Sequence, residues 1–96
     1  MTDAFTEEAR LSILGALNKQ RDGRLNEVIL EAELSELGFS RGRDWLRTQM
    51  RKLEDLGSVR LTHAGDILIA AITRDGLDHY ERKSNIDGIA ARPRWS

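Results

Sequence analysis

The sequence predicts a mainly helical α+β domain: a three-helix core, then a β-hairpin, then a short C-terminal helix. Three observations carry that prediction. Apolar residues recur at helical spacing in three segments before residue 57, each bounded by a capping residue or a glycine. Two β-prone runs, residues 58–62 and 67–72, flank a glycine-containing turn at residues 63–66. Thr73 then opens one more helical stretch.

In the first segment Phe5, Ala9, Ile13 and Leu17 recur every four residues with Leu14 beside them, giving one apolar face. Thr6 is the expected cap, Glu7 and Glu8 suit the positive end of the helix dipole, and the helix runs to about Gln20 before Asp22 and Gly23 end it. Arg24 and Leu25 leave room for only one or two extended residues. Asn26 caps a second helix, Glu27 to Leu37, with Leu30, Leu34 and Leu37 inward and Glu27, Glu31 and Glu36 on an acidic surface. Gly38 stops it.

Phe39 is apolar within the three-residue turn 38–40, and such a residue plugs the angle between two steeply crossing helices. Ser40 is the expected cap of a third helix that reaches Leu56, with Gly57 in the left-handed terminating position. Leu46, Met50 and Leu53 form its buried face, flanked by Trp45 and Leu56. In the hairpin, Val59 and Leu61 alternate with polar residues, whereas residues 67–72 are continuously apolar and predict the more buried strand. The last helix extends from Arg74 to about Lys83, turns Leu77 and Tyr80 inward and is weakened at Gly76. The domain spans residues 1–84; residues 85–96 read as a C-terminal tail, extended at Arg92 and Pro93 and free to move.

This order of helix, helix, short turn, helix, hairpin and helix is the winged helix-turn-helix arrangement. Charge is divided along it. Residues 1–39 carry four bases and eight acids, residues 40–61 six bases and three acids, so the positive charge of a chain with net charge −1 gathers on the third helix. Such a helix fits the major groove of DNA, and arginine serves both phosphate and guanine. The groove-facing residues are Ser40, which orients the helix, with Arg41, Arg43, Arg47, Thr48 and Arg51; Arg60 and His63 stand on the hairpin, whose tip is a weaker electrostatic signal. The bland alternative is a solvated face, with Arg51 paired to Glu54 or Asp55 and Arg43 and Arg47 paired to neighbouring helices.

Other classes lack residues to support them. There is no cysteine, and His63 and His79 are the only histidines, so neither a metal nor any other cofactor is expected. Asp78 and His79 are adjacent on a helix, point about 100° apart and have no nucleophile beside them, so His79 reads as a surface residue and no enzymatic activity is expected. An acidic N-terminus and the lack of a long apolar run predict a cytoplasmic protein without a membrane span. Trp95 with Arg92, Pro93 and Arg94 reads as tail, docking on a partner or on DNA being the other reading.

The run from Asn26 to Val59 resembles small winged-helix proteins of Mu-like phages and prophages, and more broadly bacterial winged-helix repressors. Two stretches carry the phage resemblance: Phe39-Ser40-Arg41 through Leu53-Glu54-Asp55-Leu56-Gly57, and Thr73-Arg74-Asp75-Gly76-Leu77-Asp78 with the ending Gly88-Ile89-Ala90-Ala91-Arg92-Pro93. In that ending Ile89-Ala90-Ala91 is longer than the link expected before Arg92-Pro93. The resemblance implies a winged-helix transcriptional regulator. The expected partner is double-stranded DNA, bound by a homodimer built from the first and fourth helices and the tail. The competing expectation is a protein-interaction module whose basic row meets an acidic protein partner, which the net charge permits.

Overall fold

The computed structural model describes residues 3–92, so the Pro93-Arg94-Trp95 ending lies outside the described residues. Helix α1, Ala4–Asn18, is capped by Asp3, whose carboxylate accepts from the Thr6 backbone N–H at 2.7 Å. The expected cap, Thr6, is instead in the first turn. An ionised carboxylate both satisfies a free N–H and faces the positive end of the dipole, so aspartate outcompetes threonine for the role.

Strand β1, Arg24–Asn26, follows and leads directly into α2, Glu27–Glu36, where the Asn26 side chain accepts from the Ile29 N–H at 3.0 Å, as expected. Helix α3, Arg43–Asp55, begins later than the sequence suggests. Gly42 has φ 91°, a conformation open to glycine, and this kink keeps residues 40–42 out of the helix. Ser40 therefore caps nothing; its hydroxyl shares a 2.7 Å hydrogen bond with that of Ser35.

Strands β2, Val59–Ala64, and β3, Ile67–Ile72, form the hairpin. The sheet order is β1-β3-β2, all antiparallel, with Ala70 opposite both Leu25 and Leu61. The two residues allowed for at 24–25 are thus part of a third strand, and β3 is central, which explains its continuous apolar run. Ile13, Leu14 and Leu17 of α1, Leu30 and Leu34 of α2, Leu46, Met50 and Leu53 of α3, and Leu68 of β3 are fully buried and form the core. Phe39 fills the α2–α3 angle as its position predicts, edge-on to Phe5 with ring centroids 5.0 Å apart.

Helix α4, Arg74–Tyr80, is capped by Thr73, whose hydroxyl accepts from the Gly76 N–H and donates to the Gly57 carbonyl. It stops before Lys83, and Arg82 takes a positive φ of 64°. Gly76 does more than weaken the helix: a Cβ there would overlap the Ser58 carbonyl oxygen, so glycine lets α4 pack against the base of the hairpin. Leu77 is half-buried, and Tyr80 lies over Gly15 of α1 while remaining exposed at the surface.

His79 is the clearest departure from expectation. It is 1% exposed, not a surface residue. Its Nδ1 accepts from the Ile86 N–H at 2.9 Å, so its proton sits on Nε2, which donates to the Ala90 carbonyl at 2.9 Å. The segment after α4 is thereby folded back. Ile89 is buried, the Ala90 N–H donates to the Glu7 carbonyl, and Arg10 donates to the Gly88 carbonyl and to Gln49 of α3. Among the described residues no helix is long and apolar enough to cross a membrane, and no buried side-chain nitrogen or oxygen lacks a partner.

Candidate nucleic-acid interface

Helix geometry decides which residues of α3 face outward. A step of four residues turns a helix by about 400°, so a row spaced i, i+4, i+8 drifts about 40° per step. The row Arg43, Arg47, Arg51 accordingly starts on the flank beside α2 and winds to the outside. Arg43 donates to Glu31 at 2.9 and 2.7 Å and lies 3.4 Å from Glu27. Arg47 meets Glu27 with Nε at 3.1 Å and extends Nη2 to the Asp66 carbonyl in the hairpin turn at 2.7 Å. Arg51 is exposed, and its side chain makes no hydrogen bond or ion pair among the described residues.

The bland reading of Arg43 and Arg47, pairing with a neighbouring helix, therefore describes their geometry. The outward face of α3 consists of Asp44, Thr48, Arg51, Lys52 and Asp55, all exposed. Thr48 donates to the Asp44 carbonyl at 3.1 Å, a bond that hydroxyl rotation can exchange for another. Arg41 stacks its guanidinium 4.1 Å from the Phe5 ring centroid and 5.9 Å from that of Trp45. It remains exposed beside the start of α3. Arg60 and His63 are both exposed on β2: the alternation that buries Val59 turns Arg60 out, whereas His63 shares the Val59 face and is exposed near the hairpin turn. The structure thus gathers Arg43 and Arg47 at the junction with the hairpin and leaves Thr48, Arg51 and Arg60 turned to solvent, with Ser40 in the turn before α3.

The residue missed by sequence reasoning is Glu27. The sequence pattern puts it on an acidic outer surface, but it is 2% exposed. The correction has a physical basis: where β1 turns into α2, the Glu27 carboxylate takes the Leu68 N–H at 2.6 Å while both arginines neutralise it. Burial opposes its ionisation, but the Leu68 N–H, Arg47 and Arg43 together hold its carboxyl below the ordinary carboxylate value. Conversely, hydrogen bonding to Glu31 raises Arg43 above the ordinary arginine value. A second carboxylate, Glu54 of α3, accepts from the Leu61 N–H on β2 at 2.9 Å. Side-chain carboxylates thus tie the hairpin to the helices on both sides. Among the described residues no cluster of histidine and acids is arranged to hold a metal.

No protein-family model and no curated protein sequence matches the chain at a significant level. Solved structures of RosR from H. salinarum do. The complex structures named RosR-S1 and RosR-S4 superpose with TM-score 0.68 and 20% identity, covering 85% of this chain and 69% and 67% of theirs. RosR grown from NaBr gives TM-score 0.69 at 20% identity, covering 85% of this chain and 70% of its own. At that identity the likeness is one of architecture, and it shows that this chain has the winged-helix fold, with β2 and β3 as the wing.

Proposed function

We propose that the chain is a double-stranded DNA-binding regulator of transcription that lays α3 in the major groove. The observation that carries this reading is the outward face of α3, where Thr48 and Arg51 stand exposed with Lys52 beside them in a winged-helix fold. Thr48 and Arg51 read base edges. Arg41, Arg60 and His63 meet the backbone to either side, and Arg43 and Arg47 hold the helix while keeping partial exposure, 36% and 27% of their side chains. Two copies associate through α1 and α4, where exposed Tyr80 and, nearby, Leu37, which caps the end of α2 and is exposed rather than turned inward as its spacing suggests, offer apolar surface. In this reading the protein is cytoplasmic and not an enzyme, and the sequence resemblance supports a phage or prophage setting.

A second reading is favoured by a specific observation: Arg43 and Arg47 are neutralised internally, and Asp44 and Asp55 share the outward face with Arg51. That mixed surface suits a protein partner. Backbone NMR titration with a duplex separates the two. The DNA reading expects shifts centred on Thr48 and Arg51 with the wing; an absence of shifts on α3 at low salt rejects it in favour of the protein-interaction reading.

A further inference from the structure

Strand β1 ends at Asn26, which is opposite Ile69 on β3. The next rung of that ladder would set residue 27 against Leu68, but the chain has already turned into α2. The Glu27 side chain completes the rung, accepting the Leu68 N–H at 2.6 Å. The same carboxylate faces Arg47 at 3.1 Å and Arg43 at 3.4 Å, and Arg47 continues to the Asp66 carbonyl in the wing turn at 2.7 Å. One buried carboxylate therefore touches the central wing strand directly, α3 through two guanidinium groups, and the wing turn through one of them. Surface ion pairs, held loosely in water, lack this fixed geometry.

We propose that Glu27 is a positioning residue for DNA binding: it sets the spacing between the wing and α3, with Arg43 and Arg47 serving that spacing in place of phosphate contact. The inference rests on the DNA-binding reading above. Two physical roles for Glu27 predict effects of opposite sign. Were it only a counter-charge, removing it would free the charge of Arg47, leave Arg43 on Glu31 alone, make the protein more positive and tighten binding to any duplex. As a positioning residue, its removal weakens binding to a duplex that engages wing and helix together, despite the gain in positive charge.

The test compares wild type, Glu27→Gln and Arg47→Lys by fluorescence anisotropy on a duplex that the wild type selects from a random pool, and by amide hydrogen exchange. Arg47→Lys keeps the charge but cannot bridge Glu27 and the Asp66 carbonyl with one planar fork, so it decides the matter if Glu27→Gln does not fold. Both variants are expected to bind the selected duplex about fivefold or more weakly, the scale of one lost contact at such an interface. In Glu27→Gln the Leu68 amide, whose acceptor changes from a carboxylate to a neutral amide oxygen, is expected to exchange several-fold faster, by more than the amides of Leu14 and Leu34. Unchanged or tighter binding by the variants overturns the positioning role, as does an unchanged Leu68 amide. A wild type that retains no duplex overturns the DNA reading itself, so the two failures are distinct.

Discussion

Replacing His79 with leucine removes two hydrogen bonds while keeping an apolar side chain of similar bulk. The Ile86 N–H and the Ala90 carbonyl lose their partners together. A backbone group orphaned in a buried setting costs about 1–3 kcal/mol, which puts an upper bound of roughly 6 kcal/mol on the pair. The segment can instead peel away and expose Ile89, now 4% exposed, and leaving one such side chain in water costs about 1.5–3 kcal/mol. The cheaper route sets the loss, so His79→Leu should destabilise the domain by about 2 kcal/mol. For a domain of this size that corresponds to a fall in Tm of roughly 8–16 °C. Scanning calorimetry at neutral pH measures the shift, and limited proteolysis should cut the variant after Tyr80 while sparing the wild type. A change in Tm below about 2 °C with unaltered proteolysis would refute the clasp. In the wild type, ring ¹⁵N spectra should show the proton on Nε2, because Nδ1 is occupied by the Ile86 N–H.

Two further outcomes follow from the packing and the charges. Gly76→Ala places a Cβ against the Ser58 carbonyl and should cost about 1–3 kcal/mol in urea denaturation, although alanine is the better helix former; a stabilised variant contradicts the close approach of α4 to the wing. Because the folded protein holds Glu27 below its ordinary value of 4.5, its contribution is complete above that value and is lost as pH falls through the lower folded one. The stability gap between wild type and Glu27→Gln should therefore narrow on acidification below about pH 5, and a constant gap from pH 7 to pH 3 contradicts the assignment.

Much of the fold was legible because its signals are local. Asn26, Thr73 and Gly57 are a cap, a cap and a left-handed stop wherever the rest of the chain lies, and the structure uses all three. Phe39 was legible as a plug for the same reason. Two caps were misplaced by local competition: Asp3 stands ahead of Thr6, and Gly42 interrupts the path from Ser40 into α3. Strand β1 reads in the sequence as only one or two extended residues because its partner, β3, lies more than forty residues later, and no local pattern encodes that pairing. His79 reads in the sequence as a surface residue because its partners, Ile86 and Ala90, belong to a segment that lacks helical or strand periodicity.

The arginine row shows how a correct period can still mislead. Spacing of four residues marks one side of a helix only over short stretches, and over eight residues the drift carries Arg51 outward while Arg43 stays against α2. The clue to Glu27 was present: Glu27, Leu30 and Leu34 are spaced i, i+3, i+7, which is the phase of the buried stripe. A carboxylate in that phase requires cations within reach, and Arg43 and Arg47 are those cations.

The central claim is that the outward face of α3 binds DNA, and a salt series of duplex binding by fluorescence anisotropy tests it most directly, with wild type set against Arg51→Ala. The account predicts a linear fall of log affinity with log salt for the wild type, and for Arg51→Ala binding weaker by about 1–3 kcal/mol with little change in slope, because a base contact neutralises no phosphate. Failure of the wild type to bind any duplex at low salt, or identical affinity for Arg51→Ala, would contradict it.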